Sequence, residues 1–202
     1  MDSQQDVQRM LRLYREHYPQ EGEGMERFLR FAGSFAGSEL YNRKNPTGHI
    51  TAGGLVVSRA TGRVLLLKHR QLGRWLQPGG HVEAADGSVL DAACREIAEE
   101  TGIGRDRLEL LPVDGQPGEA PVPADVDSHR IPACPGKGEG EHYHHDMRFV
   151  FLYDGAEETV RTDPTESDGF RWVMLDELGA MPDFRRIAPK IRHALRRQGI
   201  VA

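Results

Sequence analysis

Apolar residues in the first 45 positions of the chain repeat at helical spacing. Two sets lie three or four positions apart: Val7, Met10, Leu11 and Tyr14, and then Met25, Phe28, Leu29 and Ala32. Such spacing predicts two amphipathic helices, and Gly22 and Gly24 are expected to separate them. We therefore predict a helical extension over residues 1–45.

From residue 48 the pattern changes to short apolar runs that are typical of buried strands. The runs are Ile50, Leu55–Val57, Val64–Leu67, Leu108–Leu111, Phe149–Tyr153 and Phe170–Val173. A turn at Thr61-Gly62 is expected to join two of them as a hairpin. Helices are expected across Leu90–Thr101 and from about Pro189 to Arg197. This alternation of strands and helices indicates an α/β domain over residues 46–202.

Three carboxylates near the end of the predicted Leu90–Thr101 helix share one face. Glu96, Glu99 and Glu100 stand at positions i, i+3 and i+4, so their side chains project together. Like charges this close repel, and a divalent cation is the usual reason to keep them. Carboxylate oxygens favour Mg²⁺, with Mn²⁺ as an alternative, and Mg²⁺ commonly binds substrate phosphates too. The helix therefore predicts metal-assisted chemistry on a phosphate chain, against the alternative of a solvated glutamate-rich helix.

The surrounding residues resemble a known signature. The segment from Gly80 to Ile103 is similar to the box of the Nudix hydrolases, in which a glycine and an acid precede Arg-Glu, Glu-Glu and a final glycine. The matching positions are Gly80, Arg95, Glu96, Ile97, Glu99, Glu100, Gly102 and Ile103. Asp86 stands where the box has its first glutamate, and eight residues instead of seven separate it from Arg95. The helical half of the box is intact, and its loop half departs from the pattern.

The resemblance implies an α/β/α sandwich with a mixed sheet, to which the N-terminal helices are an addition. The Mg²⁺ ligands that it implies are the carbonyl of Gly80 and the carboxylates of Glu96, Glu99 and Glu100. Asp86 is expected to add a further ligand, with Glu83 as its rival. Arg95 keeps its proton, so we expect it to pair with a loop acid, Asp86, and to fix the loop against the helix.

The implied reaction is attack of water on one phosphorus of a diphosphate, with the metal neutralising charge on the phosphate oxygens. A general base must lie within about 3 Å of that water. Glu99 and Glu100 are the candidates within the box, and Glu166, in an acidic loop before the strand at Phe170, is the third. The sequence does not choose among them.

A histidine-rich run, Glu141–Asp146, precedes one of the predicted strands. If that strand extends back through the run, its alternation places His142, His144 and Asp146 on one face. We expect these three residues to contact substrate; a zinc or iron site and a structural role are the alternatives. His81, in the box loop, is also expected to touch the phosphates, with a purely structural role as the alternative.

Residues Pro112 to Glu141 form a long connection with little apolar periodicity after Val126. Connections of that length inside a domain are usually functional or disordered. We predict a substrate-selecting loop, with a tolerated insertion as the alternative.

Composition limits the cellular compartments and the binding partners that fit this chain. The formal charge of −5 argues against nucleic acid as a partner, although the segment Arg185–Arg197 is basic. Cys94 and Cys134 lie far apart and form no disulfide framework, which fits a reducing cytoplasm. The chain begins without a signal-peptide pattern and has no apolar run of the roughly eighteen residues that a membrane span needs. We expect a cytoplasmic protein with no membrane association.

The function that best fits is a Mg²⁺-dependent pyrophosphohydrolase that cleaves a diphosphate linkage. Its partner would be a small nucleoside diphosphate derivative, such as a nucleotide sugar, or a nucleoside triphosphate. A non-catalytic nucleotide-sensing module and an RNA 5′-end pyrophosphohydrolase are the alternatives. The complete set of Glu96, Glu99 and Glu100 argues against the sensor, and the net charge argues against RNA. A homodimer is left open.

Overall fold

One mixed sheet organises the chain in the computed structural model, which describes residues 1–113, 121–134, 136 and 138–200, without the side chain of Glu23. The strands are β1 Gly48–Ser58, β2 Val64–His69, β3 Trp75–Leu76, β4 Gly79–His81, β5 Leu108–Leu110, β6 Asp125–Ile131, β7 His142–Tyr153 and β8 Ser167–Val173. The α-helices are α1 Gln4–His17, α2 Gly22–Ser34, α3 Val89–Thr101, α4 Leu175–Ala180 and α5 Ile187–Arg197. Within the described ranges, no helix combines the length and the apolar character that crossing a membrane requires.

The sheet has β1 and β7 at its centre. The strand order is β3-β2-β1-β7-β5, with β4 also paired to β1, β6 to β7 and β8 to β2. β1 and β7 run parallel from Gly48 opposite Tyr143 to Ser58 opposite Tyr153. The other pairs are antiparallel, including the hairpin of β1 and β2. The predicted mixed sheet and α/β class are therefore confirmed.

Helices cover both faces of the sheet, because strand residues alternate between two apolar cores. One core joins α1, α2 and α3 to residues such as Ile50, Val56 and Phe149. The other joins α4 and α5 to residues such as Leu55 and Val150. The result is a helix–sheet–helix sandwich.

The N-terminal extension packs into the first of these cores. α1 begins at a capping box, in which the Ser3 hydroxyl accepts from the Asp6 N–H at 3.2 Å and the Asp6 carboxylate accepts from the Ser3 N–H at 2.9 Å. Both predicted helices are present. The predicted boundary between them was wrong, because α2 starts at Gly22 and contains Gly24. A short 3₁₀ turn that begins with Pro19 separates the helices instead.

The sequence predicted one long loop between Pro112 and Glu141, and this was wrong for the middle of the segment. Residues Asp125–Ile131 form β6, which pairs antiparallel with β7 along its whole length. The side chains of β6 are mostly polar, so the sequence lacks the alternation of apolar and polar residues by which a strand is predicted. Residues 114–120, 135 and 137 lie outside the described residues. A substrate-selecting role for this connection stays a prediction.

A buried polar network ties α5 to the N-terminal extension. The ammonium of Lys190 donates to the Tyr14 hydroxyl at 2.8 Å, to the Glu21 carboxylate at 3.0 Å and to the Ala124 carbonyl at 3.0 Å. Lys190 is only 8% exposed. Burial lowers its pKa, and the neighbouring carboxylates oppose that shift.

We predict that Lys190→Ala lowers the free energy of unfolding by about 3 kcal/mol, because it leaves the half-buried Glu21 carboxylate without its cation. Arg192→Ala, on the same helix, is the control. Its partner Asp176 is exposed, so the expected loss is below about 1 kcal/mol. Chemical denaturation of both variants measures the difference, and equal losses would contradict a special role for Lys190.

Candidate active site

The helix α3 is held at both ends. At its start the Ser88 hydroxyl accepts from the Asp91 N–H at 3.0 Å. At its end Gly102 adopts a left-handed conformation with φ of 71°, and its N–H donates to the Ala98 carbonyl at 2.9 Å. Ile97 packs so closely on β1 that a Cβ at Gly54 would overlap its side chain. The apolar face of α3 is thus fixed on the sheet.

The carboxylates of α3 lie against the backbone of β4. A Cβ on Gly80 would come within 2.6 Å of the Glu96 Oε1 atom, so any larger residue there would displace the Glu96 carboxylate. The Gly79 N–H also points at Glu100, with 3.4 Å between the nitrogen and Oε1. Glu96 and Glu100 therefore form a carboxylate surface that lies against the Gly79-Gly80 backbone.

The electrostatics of this surface favour binding of a cation. Burial raises the pKa of Glu100 to about 8, and repulsion from Glu96, Glu166 and Glu99 adds to the shift. Burial also raises the pKa of Glu96, although Arg95 opposes that shift. Glu166 thus lies near enough to act on both carboxylates. The donor set is all oxygen, which suits a hard divalent cation.

Arg95 connects the helix to the loop before it. Its guanidinium donates to both carboxylate oxygens of Asp86 at 3.0 and 3.1 Å and to the His81 carbonyl at 2.8 Å. It also contacts Glu96 at 3.0 Å and Glu99 at 2.8 Å. The expected pairing of Arg95 with Asp86 is therefore present.

Both carboxylate oxygens of Asp86 accept hydrogen bonds from the protein. It accepts from the Glu83 N–H at 2.7 Å besides the two bonds from Arg95. Burial opposes ionisation, but these hydrogen bonds outweigh it and hold the pKa of Asp86 below its ordinary value. Glu83, its rival, is exposed. The geometry suits Asp86 as the anchor of Arg95 better than as a metal ligand.

A cluster of histidines lies on the other side of β4. The β1–β7 register sets His49 opposite His144, and the β6–β7 register sets His129 opposite His144. Residues directly opposite share a face, so the three rings form a row across three strands. His142 lies two residues along β7 on the same face, as its strand alternation predicts. His142 and His144 stand an even number of residues before Val150 on β7, so the cluster lies on the sheet face that α4 and α5 cover.

His49 is the centre of this histidine cluster. Its ring centroid lies 4.6 Å from that of His144, 5.2 Å from that of His142 and 5.0 Å from that of His81. Burial and the neighbouring rings lower the pKa of His49 to about 3 and that of His144 to about 2. Both rings are therefore neutral at physiological pH.

The next row along the same strands is acidic. Thr51, Asp146 and Asp127 lie opposite one another on β1, β7 and β6. The Thr51 hydroxyl donates to Asp146, and the His129 Nδ1 lies 3.1 Å from Asp127 and 3.7 Å from Asp146. The hydrogen bond to Asp127 raises the pKa of His129. His49, His129 and Asp127 were not predicted from the sequence, because β6 carries no apolar alternation and the register that brings these residues together is long-range.

Two cavities adjoin the N-terminal extension. One, of about 390 Å³, lies between α2 and the start of β7, and its lining includes Arg27, Phe31, Phe35, His142 and Tyr143. The other, of about 600 Å³, is lined by Gln20, Glu21, Gly24, Arg27, Ser128 and Arg186. Neither lining contains an acid of α3, so volume alone does not mark the reactive centre.

The glycine and carboxylate surface on a sandwich of this kind defines a hydrolase of phosphorus anhydride bonds. The chain belongs to the Nudix family, since the model of the NUDIX domain matches residues 48–196. Divalent metals are general in this family. The matched range begins at β1 and leaves α1 and α2 outside.

Relatives and solved structures agree with this assignment. An RNA pyrophosphohydrolase of Thioalkalivibrio sulfidiphilus is 31% identical over 59% of this chain and 67% of its own length. An RNA pyrophosphohydrolase of Pseudomonas putida is 29% identical over 70% of this chain and 87% of its own. A NUDIX-family hydrolase from Clostridium perfringens shares the fold with a TM-score of 0.51 at 20% identity, covering 78% of this chain and 99% of that one.

We predict that the metal-free protein loses stability as pH rises from about 5 to 8. The folded pKa of Glu100, about 8, lies above its ordinary value of 4.5, so the native state keeps a proton that the unfolded state has released. Raising the pH through this window therefore favours unfolding. Melting temperatures measured in chelator should fall with pH, and Glu100→Gln should flatten that fall. An equal slope in both proteins would show that Glu100 is not the titrating group.

Proposed function

We propose that this chain is a Mg²⁺-dependent pyrophosphohydrolase that cleaves the diphosphate linkage of a nucleoside diphosphate derivative or a nucleoside triphosphate. The observation that carries the proposal is the group of Glu96, Glu99 and Glu100 on one face of α3, beside the backbone of Gly80. Mn²⁺ is the alternative ion, because its ligand preferences are similar.

The residues that would hold the cation are Gly80, through its carbonyl, and Glu96, Glu99 and Glu100. When bound, the cation neutralises charge on the phosphate oxygens and makes water more acidic. Binding of the cation is favoured here because Glu96 and Glu100 are buried and repel each other, and a positive charge between them relieves both costs. Asp86 stays with Arg95 in this proposal, so the fit does not need it as a ligand.

Each acid then has a separate task. Glu100 is our candidate for the general base, because burial raises its pKa to about 8. Glu166 faces Glu96 and Glu100 from the loop before β8 and is the alternative. Arg95 is a positioning residue, since its five donors hold the loop, Glu96 and Glu99 at once.

A group of polar side chains lies across β4 from this centre. His81 links the two, because its carbonyl accepts from Arg95 while its ring stacks on His49. We place His81, His142, His144 and Asp146 on the substrate side, as the sequence indicated. We also propose a cytoplasmic location, and a homodimer is left open.

The nucleoside end of the substrate fits the 390 Å³ cavity between α2 and β7. Its size lies in the usual range for small-molecule sites. The Arg27 guanidinium lies 4.2 Å from the Tyr143 ring centroid, and Phe31 and Phe35 add flat apolar surface. Aromatic faces and arginines suit a base and its phosphates. His142 lines this cavity and also belongs to the histidine cluster.

An RNA 5′ end is the second candidate substrate. The relatives named RNA pyrophosphohydrolase support it. Against it, the net charge is −5, and two arginines of the C-terminal segment have acidic partners, Arg186 with Asp125 and Arg192 with Asp176.

We predict that Glu100→Gln and Glu99→Gln each lower kcat at least about a hundredfold at saturating Mg²⁺, because each removes one charge from the metal-holding group and keeps its shape. Glu109→Gln, an exposed glutamate on β5 paired with Arg59, is the matched control and should retain full activity. Formation of the nucleotide products from a panel of nucleotide sugars, dinucleoside polyphosphates, ADP-ribose and triphosphates, measured by chromatography, provides the rates. Normal turnover of either variant would remove that residue from the metal site.

We predict that Arg27→Ala raises KM for the preferred nucleotide about tenfold with kcat nearly unchanged, because Arg27 contacts the nucleoside end and not the reacting phosphorus. Arg12→Ala, an exposed arginine of α1, is the control. The same panel should include a 5′-triphosphate RNA oligonucleotide. A higher kcat/KM for the RNA than for every small nucleotide would favour the second candidate.

A further inference from the structure

The histidine cluster contains a group whose hydrogen-bonding capacity is unmet within the protein. Both ring nitrogens of His49 are buried and have no hydrogen-bond partner among the described residues. The residue is 1% exposed, and its ring lies among those of His81, His142 and His144. A buried polar group without a partner costs about 1–3 kcal/mol, so its retention needs an explanation.

Direct contact with a substrate does not supply that explanation. His49 lies on the central strand, beneath the rings of its neighbours, and has almost no accessible surface. His81 and His144 are more exposed than His49, so a substrate would reach them first. The partner for His49 must therefore be small enough to sit inside the cluster.

The geometry of three of these rings suits a metal ion. One ring nitrogen from each of His49, His142 and His144 lies within 4.8 Å of the other two. In a tetrahedral zinc site with Zn–N bonds of about 2.0–2.1 Å, ligand nitrogens stand roughly 3.4 Å apart. Small rotations of the three rings would bring their nitrogens from within 4.8 Å to that spacing.

The second nitrogen of His142 supports the same assignment. Its Nδ1 lies 2.8 Å from the Gly140 carbonyl and so carries the proton, which leaves Nε2 as the metal-binding atom. Histidine ligands commonly donate their other N–H to a backbone carbonyl in this way, which fixes the ring orientation and the tautomer.

We propose that His49, His142 and His144 form a binding site for a divalent transition metal of the zinc class, separate from the carboxylate site of α3. Imidazole nitrogens suit Zn²⁺ and its neighbours, whereas carboxylate oxygens suit Mg²⁺. The two sites lie on opposite faces of the sheet, joined by β4. Three protein ligands leave a fourth position for water or a substrate group, as in catalytic zinc sites. The site does not depend on the hydrolytic reaction proposed above.

The test is direct metal binding by the full-length protein after treatment with chelator. Co²⁺ is the spectroscopic probe, since nitrogen ligands in a four-coordinate site give it visible absorption, and Zn²⁺ should displace it. We expect one equivalent to bind. His49→Phe keeps an apolar ring in the buried site and should weaken Zn²⁺ binding at least about a hundredfold, because even the partners of metal ligands contribute 10- to 100-fold.

Two controls separate this site from the rest of the protein. His193→Ala removes an exposed histidine of α5 and should bind Co²⁺ as the unaltered chain does. The double variant Glu96→Gln/Glu100→Gln removes the carboxylate site and should keep the Co²⁺ spectrum while losing hydrolysis. Circular dichroism of His49→Phe verifies that a lost spectrum does not reflect unfolding.

Either of two results would overturn the proposal. The first is a Co²⁺ spectrum that survives in His49→Phe and disappears in the Glu96→Gln/Glu100→Gln protein, which would place the ion at the carboxylates. The second is the absence of stoichiometric Co²⁺ or Zn²⁺ binding, which would leave buried water as the partner of His49.

Discussion

The parallel pairing of β1 with β7 is the constraint on which the rest of the structure depends. These strands are joined without interruption from Gly48 to Ser58, and both apolar cores are built on the side chains that alternate along them. The register also fixes the polar rows, because a shift of one residue would turn His144 and Asp146 towards the core of α1 and α2. One set of backbone hydrogen bonds thus positions the helix layers and the histidine cluster together.

The chemistry at α3 depends on close approach of backbone to carboxylate. Gly80 lets β4 lie against Glu96, and the resulting burial raises the pKa of Glu96 and Glu100. Arg95 donates to Glu96 and Glu99 and so offsets part of the repulsion among the carboxylates of α3. Asp86 in turn holds Arg95 in place. The fold therefore maintains a cluster of acids that is unfavourable without a cation, and this strain favours metal binding over a solvated helix face.

The sequence predicted the features that depend on local periodicity. The two N-terminal helices, the hairpin of β1 and β2 and the helix α3 all follow from spacing. The extension of β7 back through the histidines was the condition for placing His142, His144 and Asp146 on one face, and β7 begins at His142. The sequence missed β6, because a strand with polar side chains carries no apolar alternation. It also missed His49, because a lone histidine at the start of an apolar strand becomes informative only when the register sets it opposite His144. Long-range pairing, which no local window contains, is what the sequence alone lacked.

The N-terminal extension has a physical task that its position outside the matched family domain does not suggest. α2 packs on β6, the strand whose side chains include Asp125 and Asp127. These carboxylates would be exposed at the sheet edge, but Arg148 and Arg186 pair with Asp125, and Lys190 joins the extension to α5 nearby. The extension thus covers β6, an edge strand whose backbone groups would otherwise be open to another chain. It also forms one wall of the cavity that His142 lines.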